Sequence, residues 1–517
     1  MNILILGGVA AGTKTAAKLK REDRSLNVTI LTKDKDISYA GCGLPYYVGG
    51  LIENREELIV NTPESYAALT GVKVLTGREA ISVDSEAKTV VVRCTDTGEE
   101  EIHYDRLVIA TGASPAIPPI EGVGKAGVYT MRTPADAIGI RDYVKEHTVR
   151  NAVVVGGGFI GLEAAENLQR LGLSVAVLDV AGQILPGVLD SEMANYVQRH
   201  LTRRGIRIVT GAKAEQIQGL DRVTGIKTSA GLFPAELVIL SAGIRPNTAF
   251  LQGSGIEMIR GAIVTGPQME TNLPDVYAAG DCALVTNRLT GQRQWSPMGS
   301  SANLEGRTLA QGLAGRKKTY PGVLGTGVVK LPGLNCGRTG LTEAQAKEAG
   351  YDVATILAVT DDKAHYYPDA AFFITKLIAD RKTHQLLGMQ VLGPGAVDKM
   401  VDIAVTGLNL KARLEDFENA DYAYAPPFST AIHPFVQAVY LLLNKLDGTL
   451  VSMTPAEYAA GAAQGYRIID VAPRPAIPGA TFVDLSSVQG EIPGIGKEEK
   501  LLLVCVRAKR AYFLQNR

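Results

Sequence analysis

Short apolar runs that end at glycine recur along this chain. Residues 2–6, NILIL, precede GGVAAG and then the helical pattern TKTAAKLKRED. A fully apolar run of this length is typical of a buried parallel strand, and the glycine turn predicts the start of a helix behind it. Gly7 and Gly12 stand where such a turn needs positive φ or close backbone approach, which lets N–H groups and the helix dipole face a pyrophosphate. The pattern predicts a dinucleotide-binding unit.

Two positions depart from the dinucleotide pattern in this first unit. Val9 occupies the middle glycine position, so an ordinary strand-to-helix turn is the alternative interpretation. The second strand, NVTILT, ends in Thr32 where a ribose-binding carboxylate is expected, and Asp34 and Asp36 follow a little later. Adenosine-ribose binding at this strand end therefore lacks its usual carboxylate.

The pattern recurs in complete form at residues 151–163, NAVVVGGGFIGLE. Gly156, Gly158 and Gly161 match the full dinucleotide fingerprint after an apolar strand. The next strand, SVAVLDV, ends in Asp179, at roughly the 20-residue spacing expected of a ribose-binding acid. A carboxylate there accepts the ribose hydroxyls and repels a 2′-phosphate, and no Arg or Lys follows within several residues. The sequence predicts an NADH site in preference to an NADPH site.

Cys42 lies in a segment crowded with glycine and proline, SYAGCGLPYYVGG at residues 38–50. That composition predicts a tight loop and not a helix or a strand. The backbone of such a loop closely approaches another group. A thiolate is the nucleophile of thiol chemistry, and its pKa falls beside a helix N-terminus or a positive charge. Cys42 is therefore the candidate redox residue. The alternative, a buried structural thiol, is what we expect of Cys94, Cys282 and Cys336.

Composition and charge narrow the classes of function. Lys plus Arg and Asp plus Glu both number 53, which leaves no net field to hold nucleic acid or an anionic membrane. The five cysteines lack paired spacing, which argues against a disulfide framework and against a Cys-rich zinc site. No basic leader precedes the first glycine turn, and no apolar stretch reaches bilayer length. We expect a multidomain, soluble, cytoplasmic protein without a metal.

Three further strands break at glycine: LVIATGASP at 107–115, LVILSAGIRPNT at 237–248 and VYAAGDCA at 276–283. With the two glycine turns and the cysteine segment, they resemble the two-dinucleotide-fold flavoprotein disulfide reductases over roughly residues 1–445. The resemblance implies an α/β fold with two Rossmann-like domains, an α+β dimerisation domain and a C-terminal tail. The implied boundaries are 1–112 with 240–318 for FAD, 113–239 for NADH, 319–448 for the interface domain and 452–517 for the tail.

The resemblance also implies a set of cofactor-binding residues. Asp281 matches the aspartate that bonds the ribityl or pyrophosphate region of FAD, although a helix N-cap is the alternative role. The residues implied for FAD and NADH are Gly7, Gly12, Thr111, Gly112, Gly280, Asp281, Gly156, Gly158, Gly161, Glu163, Asp179 and Gly243.

Relatives with an internal dithiol carry two cysteines five residues apart, whereas Ile37 and Tyr47 flank Cys42 at that spacing here. This departure points to the single-cysteine branch, and SxxxCGLPY at residues 38–46 resembles the coenzyme A-disulfide reductase signature. The resemblance implies that electrons pass from NADH through FAD to a mixed disulfide between Cys42 and coenzyme A. The substrate would be a coenzyme A disulfide, persulfide or polysulfide.

Substrate contacts are implied in two places. Ser38, in the cysteine signature, is an implied coenzyme A contact. Lys14, Lys18 and Arg21 on the first helix could meet the coenzyme A phosphates, although a solvated helix face is the commoner explanation of that basic run. Residues 365–393 predict strands with a turn, followed by a helix, and resemble the family's interface domain. Tyr367 and Tyr424 match tyrosines that reach the partner's active site in a homodimer, and interface packing is their alternative role.

The tail resembles the first two thirds of a rhodanese domain. Cys505 follows the apolar run LLLV and opens a six-residue loop closed by Arg510, a loop type whose amides hold a persulfide or an anion. Two departures leave sulfurtransferase activity open: Ala472 replaces an arginine and Ala508 replaces a loop glycine. If Cys505 carries sulfane sulfur, persulfide reduction at Cys42 is favoured over disulfide reduction.

Two other functions stay open. A single-cysteine enzyme of this branch acts as an NADH oxidase or peroxidase when its cysteine forms a stable sulfenic acid. A non-catalytic NADH or redox sensor, with the tail as a binding module, is the alternative from a different class.

Overall fold

The computed structural model describes all 517 residues and divides them into two compact units. The first unit comprises Met1–Ile184 and Leu201–Val323, and the second comprises Leu185–His200 and Leu324–Arg517. None of the helices combines the length and apolarity needed to cross a bilayer. The four domain boundaries implied by the sequence stay predictions.

The first unit contains most of the strands. In chain order they are β1 (Asn2–Leu6), β2 (Asn27–Leu31), β3 (Lys73–Leu75), β4 (Arg78–Asp84), β5 (Thr89–Cys94), β6 (Gly98–His103), β7 (Arg106–Ile109), β8 (Ala113–Pro115), β9 (Val128–Thr130), β10 (Asn151–Val155), β11 (Ser174–Asp179), β12 (Arg207–Thr210), β13 (Ala214–Gln218), β14 (Gly225–Thr228), β15 (Gly231–Pro234), β16 (Leu237–Leu240), β17 (Ile244–Pro246), β18 (Met258–Ile259), β19 (Ala262–Val264), β20 (Val276–Ala278), β21 (Ala283–Thr286) and β22 (Arg293–Trp295).

Seven helices begin within the same stretch of sequence. They are α1 (Ala10–Glu22), α2 (Leu44–Val48), α3 (Pro63–Thr70), α4 (Pro134–Glu146), α5 (Phe159–Arg170), α6 (Ser191–Arg203), which starts in the second unit, and α7 (Gly299–Leu313). Short 3-10 turns occur at Gly41–Gly43, Arg55–Leu58 and Ala249–Leu251.

Two parallel five-stranded sheets form the frame of the first unit. Their strand orders are β20-β7-β1-β2-β3 and β12-β11-β10-β16-β9. In both sheets the strand that precedes a glycine turn is central, so the turn and its helix lie at the carboxyl edge, where ligands of open α/β sheets bind. Strand β20 joins the first sheet from far along the chain, so the chain returns to this sheet after it has formed the second one.

Alternation along β1 explains how its sheet is buried on both faces. Ile3 and Ile5 belong to a core that includes helices α1 and α7, whereas Leu4 and Leu6 belong to the core on the opposite face. All four side chains are at most 3% exposed. A strand covered on both sides must be apolar at every position, which is why NILIL shows no polar alternation.

The second unit is built on an antiparallel sheet. Its elements in chain order are β23 (Gly327–Leu331), β24 (Leu334–Gly340), α8 (Glu343–Glu348), β25 (Val353–Asp361), β26 (Phe372–Asp380), β27 (Leu386–Gly393), α9 (Val397–Leu410), α10 (Glu415–Glu418), α11 (Pro434–Leu446), α12 (Pro455–Ala459), β28 (Arg467–Asp470), β29 (Thr481–Phe482), β30 (Leu501–Val504) and α13 (Lys509–Asn516). The sheet order is β23-β24-β27-β26-β25. The strands and the helix predicted for residues 365–410 are confirmed.

The last part of this unit forms a small parallel sheet of its own, ordered β29-β28-β30. Ile469 and Val471 centre its apolar core, against which Leu514 of α13 packs. The Gln515 amide bonds both backbone groups of Val451, at 3.0 and 2.9 Å, which holds α13 against the chain that leaves α11. The expected α/β class of the whole chain is confirmed.

Candidate active site

The second glycine turn, between β10 and α5, has the geometry that a dinucleotide site requires. A Cβ on Gly156, which has φ +115°, would lie 2.1 Å from the Ser241 carbonyl oxygen, and a Cβ on Gly161 would lie 1.9 Å from the Gly156 oxygen. Only glycine fits at these two positions. Asp179 accepts the Gly157 N–H at 2.7 Å, so the strand-end carboxylate braces the turn beside which a ribose is predicted to bind.

The first glycine turn repeats this geometry. A Cβ on Gly7, with φ +115°, would lie 2.1 Å from the Ala110 oxygen, and one on Gly12 would lie 1.9 Å from the Gly7 oxygen. The departure at Val9 now has a physical reason, because a Cβ added to its counterpart Gly158 would meet no heavy atom within 4 Å. The middle position of this turn accepts a side chain without strain.

A cavity of about 540 Å³ opens beside the first turn, which is the size of a cofactor site. The residues that line it include Gly7, Gly8, Thr32, Lys33, Asp34, Thr111, Gly112, Arg132 and Asn247. Asp34 also lines the cavity, and its side chain provides the carboxylate that is missing at Thr32. Thr111 and Asn247 hold the rim by exchanging two hydrogen bonds of 2.7 and 3.0 Å.

The Gly280-Asp281 pair is held by three neighbours. Glu305, which is 1% exposed, accepts the Gly280 N–H at 2.7 Å, and Trp295 donates its indole N–H to the Asp281 carbonyl. The Asp281 carboxylate pairs with Arg132 at 2.9 Å. Asp281 is not an N-cap, because the next element is strand β21 and not a helix. Sequence patterns had not singled out Arg132 or Glu305. Neither belongs to a motif, and only the tertiary fold brings Glu305 to Gly280 and Arg132 to Asp281.

These residues fit the predicted FAD. The glycine turn offers amides at the start of α1, whose first turn carries no acidic residue, and Arg132 supplies a cation at the cavity wall. Gly112 lies in the left-handed region, at φ +68°, against the Arg132 guanidinium. Gly243 has φ +107° with open space around it, so it too allows close approach of a ligand.

The cysteine segment differs from the predicted loop. Gly41–Gly43, with Cys42 at its centre, forms a 3-10 turn that continues into the short helix α2. The expectation of neither helix nor strand was therefore wrong for residues 41–48. The physical reason is that Pro45 stands in the first turn of α2, where proline's fixed φ is favourable and its missing N–H costs nothing.

Cys42 is exposed, and all five cysteines are free. Desolvation by neighbouring protein atoms raises the pKa of the Cys42 thiol, the charges of Glu163 and Asp281 raise it further, and Arg132 opposes them. The protein atoms alone thus do not supply the lowered pKa expected of a reactive thiol. Cys94, Cys282 and Cys336 are buried, as expected of structural thiols.

Tyr46 links the cysteine segment to the second glycine turn. Its hydroxyl donates to Glu163 Oε1 at 3.2 Å, and Glu163 lies two residues after Gly161 on α5. Burial raises the pKa of Glu163 to about 7. Arg141 of α4 stacks 4.5 Å from the Tyr47 ring centre and bonds the Glu53 carbonyl at 2.8 Å, which fixes the other side of α2.

The residues predicted to contact coenzyme A are placed on two elements. Ser38, with φ 48°, accepts a hydrogen bond from Asn61 at 3.3 Å. Lys14 and Lys18 are half-buried on α1, and Arg21 is exposed at its end. Lys18 pairs with Glu22 one turn later, and the two side chains are only 14% and 5% exposed, so Lys18 does not lie on a solvated helix face.

The predicted interface tyrosines lie in the second unit. Tyr424 is 48% exposed and its hydroxyl lies 3.5 Å from that of Tyr366, whereas Tyr367 is 39% exposed. The hydrogen bond with Tyr366 raises the pKa of Tyr424. The sequence predictions did not include Tyr366, although it directly precedes Tyr367. His433 accepts the Phe435 N–H through Nδ1 at 3.2 Å and so caps α11.

Cys505 follows β30, at the start of the turn that leads into α13. Arg507 pairs with Asp361 at 2.9 Å and stacks 3.8 Å from the Phe372 ring centre, which anchors this turn on the antiparallel sheet. Arg510 donates to the Val471 carbonyl at 2.7 Å. Ala508 has φ 59°, the left-handed conformation that the replaced glycine would favour.

Comparisons with known proteins agree with this geometry. Residues 1–302 match the model of the family described as pyridine nucleotide-disulphide oxidoreductase, and residues 328–435 match that family's dimerisation domain. An NADH oxidase of Methanocaldococcus jannaschii is 34% identical over 447 residues, which make up 86% of this chain and 100% of that protein. An NAD(P)H coenzyme A polysulfide/persulfide reductase of Pyrococcus horikoshii is 36% identical, covering 84% of this chain and 96% of that protein.

The likeness to solved structures extends over the entire chain. The structure of an NAD-dependent persulfide reductase from A. fulgidus superposes with a TM-score of 0.95 at 33% identity, covering 100% of this chain and 96% of that one. The superposition therefore covers both parallel five-stranded sheets and the antiparallel sheet of the second unit. The chain belongs to the pyridine nucleotide-disulphide oxidoreductase family, whose cofactors are FAD and NAD(P)H.

Proposed function

We propose that this protein uses NADH to reduce a coenzyme A disulfide, persulfide or polysulfide at Cys42. The observation that carries the proposal is the single exposed cysteine at the start of α2, in a unit that also contains both glycine turns. The P. horikoshii relative is a coenzyme A polysulfide/persulfide reductase, and the A. fulgidus protein is a persulfide reductase. Both names describe sulfur chemistry of this kind.

Bound FAD supplies the transfer of two electrons from NADH to sulfur. Cys42 attacks the substrate disulfide as a thiolate, forms a mixed disulfide with coenzyme A and releases the other half as a thiol. Two electrons then break the mixed disulfide, which regenerates the Cys42 thiolate and releases coenzyme A. With a persulfide substrate the group that leaves is sulfide.

A bound cofactor or substrate would change the charges that act on Cys42. Arg132 is the cation that acts on Cys42, and its pairing with Asp281 offsets much of its effect. We infer that a ligand which separates Asp281 from Arg132 leaves the Arg132 cation free to stabilise the Cys42 thiolate. The residues offered to FAD are those of the first turn and its cavity, and those offered to NADH are Gly156, Gly161 and Asp179.

We further propose a homodimer built on the second unit, because residues 328–435 match the dimerisation domain. Tyr424 and Tyr366 form an exposed pair there, and Tyr367 is close in sequence. In such a dimer Tyr424 and Tyr367 are the candidate substrate contacts. The free state of all five cysteines fits a reducing compartment, so we also place the protein in the cytoplasm.

For residues 452–517 we propose a rhodanese-like module with Cys505 as its sulfur carrier. A parallel sheet, a cysteine directly after β30 and a helix behind a short turn support this role. Sulfane sulfur on Cys505 would favour a persulfide as the acceptor at Cys42. Loss of persulfide-forming activity with thiosulfate in Cys505→Ser, and its retention in Cys94→Ser, would support the assignment.

Anaerobic turnover with coenzyme A disulfide tests the main proposal. We expect Cys42→Ser to reduce NADH oxidation at least about a thousandfold, on the scale of nucleophile removal in other enzymes, with the flavin content unchanged. Cys336→Ser is the matched control, because that thiol is buried and remote from the glycine turns in sequence. Turnover that survives Cys42→Ser would overturn the proposal. Mass spectrometry of the purified protein should detect a coenzyme A adduct on Cys42.

Oxygen reduction is the second candidate function, because the M. jannaschii relative is an NADH oxidase. In that case Cys42 would cycle through a sulfenic acid. NADH consumption that requires oxygen and ignores coenzyme A disulfide would favour this function over the first.

A further inference from the structure

The turn that carries Cys505 is bound to the base of a hairpin in the antiparallel sheet. Arg507, two residues later, pairs with Asp361 at 2.9 Å, and its guanidinium carbon lies 3.8 Å from the centre of the Phe372 ring. Asp361 is the last residue of β25, Phe372 is the first residue of β26, and the two pair directly across the strands. One side chain of the tail therefore contacts both strands where the hairpin loop 362–371 begins and ends.

The middle of this hairpin loop carries two exposed tyrosines. Tyr366 is 67% exposed and Tyr367 is 39% exposed. The Tyr366 hydroxyl lies 3.5 Å from that of Tyr424, and the Ala364 N–H donates to the Ser429 carbonyl oxygen at 3.1 Å. The hairpin thus connects the tail, which binds at its base, with the tyrosines that are the proposed substrate contacts.

Other contacts hold the tail in place without Arg507. The Gln515 amide bonds both backbone groups of Val451, and the Asn444 amide of α11 donates to the Tyr512 hydroxyl at 3.3 Å. The tail also has an apolar core of its own. Loss of the Arg507 side chain would therefore release the base of the hairpin and leave the tail folded and attached.

The chemistry of the contact suits a rigid hold on the hairpin. A guanidinium is planar, so it can stack on an aromatic ring and at the same time donate an N–H group to a carboxylate. Arg507 makes both contacts with the sheet. Arg510 of the same turn instead donates to the Val471 carbonyl oxygen, within the tail. The two arginines thus divide the work, and Arg507 is the one that binds the hairpin.

We propose that Arg507 is a positioning residue for disulfide reduction: it holds the loop 362–371 so that Tyr367 can contact coenzyme A. The inference rests on the proposed function, because it takes Tyr367 and Tyr424 as the substrate contacts of the dimer. Arg507 acts through the loop, and it forms or breaks no covalent bond. The tail thereby serves disulfide reduction by a route that is independent of any sulfur carried on Cys505.

Steady-state kinetics of the holoenzyme with coenzyme A disulfide test this role. We expect Arg507→Met to raise KM about threefold to tenfold and to change kcat less than about twofold, because a loosened loop weakens substrate contact and leaves the cysteine chemistry intact. Arg507→Lys keeps the charge but lacks the planar fork, so it should recover only part of the loss. Flavin absorbance per chain should equal that of the wild type in both variants.

Lys509→Met is the matched control. Lys509 is an exposed cation two residues from Arg507, and it also lies beside an aromatic ring, 5.9 Å from the centre of the Phe513 ring. Both Lys509 and Phe513 belong to α13, so this contact stays within the tail. The KM of this variant should remain within about twofold of the wild-type value. An equal rise in KM for Lys509→Met and Arg507→Met would overturn the inference.

A double-variant cycle shows whether the effect passes through the ion pair. Asp361→Asn should raise KM in the same direction as Arg507→Met, and the double variant should be no worse than the larger single effect, because residues in contact are not additive. Effects that multiply would show independent roles and would overturn the inference. A fall in kcat or a loss of flavin in Arg507→Met would show a general structural role and would overturn it as well.

Tyr367→Ala and Tyr424→Ala separate this inference from the function on which it rests. A lowered kcat/KM in both, together with a wild-type KM in Arg507→Met, would overturn the inference alone. Wild-type kinetics in both tyrosine variants would remove the substrate contacts and, with them, the route proposed for Arg507. Because Cys42→Ser is assayed in parallel, full activity of that variant would instead overturn the proposed function itself.

Discussion

At the scale of single residues, backbone geometry separates glycines that the fold requires from glycines that the ligand requires. Gly161 and Gly158 belong to the same turn, yet only a Cβ on Gly161 would collide with the backbone, at 1.9 Å from the Gly156 oxygen. Gly158 has extended backbone at φ −80°, ψ −174° and open space around it. Its glycine is explained by a pyrophosphate that must come close, which is the role of the middle position in such turns.

This difference predicts opposite outcomes for two alanine variants. Gly161→Ala should lower the free energy of unfolding by about 1–3 kcal/mol, because the added methyl overpacks the turn. Gly158→Ala should leave the thermal midpoint unchanged and weaken NADH binding. Differential scanning calorimetry and a fluorescence titration with NADH measure the two effects. A lower midpoint for Gly158→Ala would contradict the assignment.

At the scale of elements, two short segments decide where the two candidate sulfur atoms lie. A 3-10 turn and the five-residue helix α2 carry Cys42, and a turn with Ala508 at φ 59° carries Cys505. In each segment the backbone conformation of one residue is decisive. Pro45 favours the first turn of α2, whereas Ala508 adopts the left-handed region at a cost that glycine would avoid.

Ala508→Gly should therefore stabilise the start of α13 by about 0.5–1 kcal/mol, the relief of left-handed strain less the entropy that glycine loses on folding. Hydrogen exchange of the α13 amides measures this gain. Ala511→Gly is the control, since this buried alanine lies inside α13, where glycine should destabilise by about 0.5–1 kcal/mol. Faster exchange in both variants would refute the strain at Ala508.

At the scale of the whole molecule, a buried ion cluster in the second unit joins segments that are far apart in sequence. Lys376 of β26 is 1% exposed and its ammonium lies 2.5 Å from Glu192, 2.7 Å from Glu343 and 3.1 Å from Asp190. Gln390 bonds the same Asp190 carboxylate at 2.6 Å. The cluster attaches residues 185–200 to the antiparallel sheet of the second unit. In sequence these residues separate two stretches of the first unit.

Lys376→Met should cost about 3–5 kcal/mol at neutral pH, because it leaves the buried carboxylates of Asp190 and Glu192 without the cation that pairs with them. Lys347→Met is the matched control: Lys347 also pairs with Glu343, but its side chain is 62% exposed, so its loss should cost less than about 1 kcal/mol. Chemical denaturation of both variants provides the comparison. Similar costs for the two lysines would contradict a special role for burial.

The same cluster predicts how this stability difference depends on pH. Burial opposes the charged form of Glu343, but hydrogen bonds from Lys347 and Lys376 prevail and lower its pKa. Burial likewise opposes the charge of Lys376, but Asp190, Glu192 and Glu343 raise its pKa. The carboxylate contribution is present above the ordinary pKa of 4.5 and is lost as pH falls through the lowered value.

The lysine contribution is fully present below its ordinary pKa of 10.5 and is lost as pH rises through the raised value. The advantage of wild type over Lys376→Met should therefore be largest between about pH 5 and pH 10 and shrink in acid. Thermal midpoints measured from pH 7 down to pH 4 check the acid side. A difference that grows in acid would show that the carboxylates are not charged partners of Lys376.

The chain's local patterns by themselves determined both glycine turns, the apolar strands that end at glycine, the candidate cysteine and the family. These features are local because a glycine turn or an apolar strand is encoded by consecutive residues. Only the tertiary structure decided that α2 follows Cys42, that Tyr46 meets Glu163, that Arg132 reaches Asp281 and that Lys376 is buried among carboxylates. The three pairs join residues that are far apart along the chain, and no spacing rule specifies which distant side chains the packed sheets will bring together. The helix after Cys42 is local, but the glycine-rich composition of its segment predicted a loop instead.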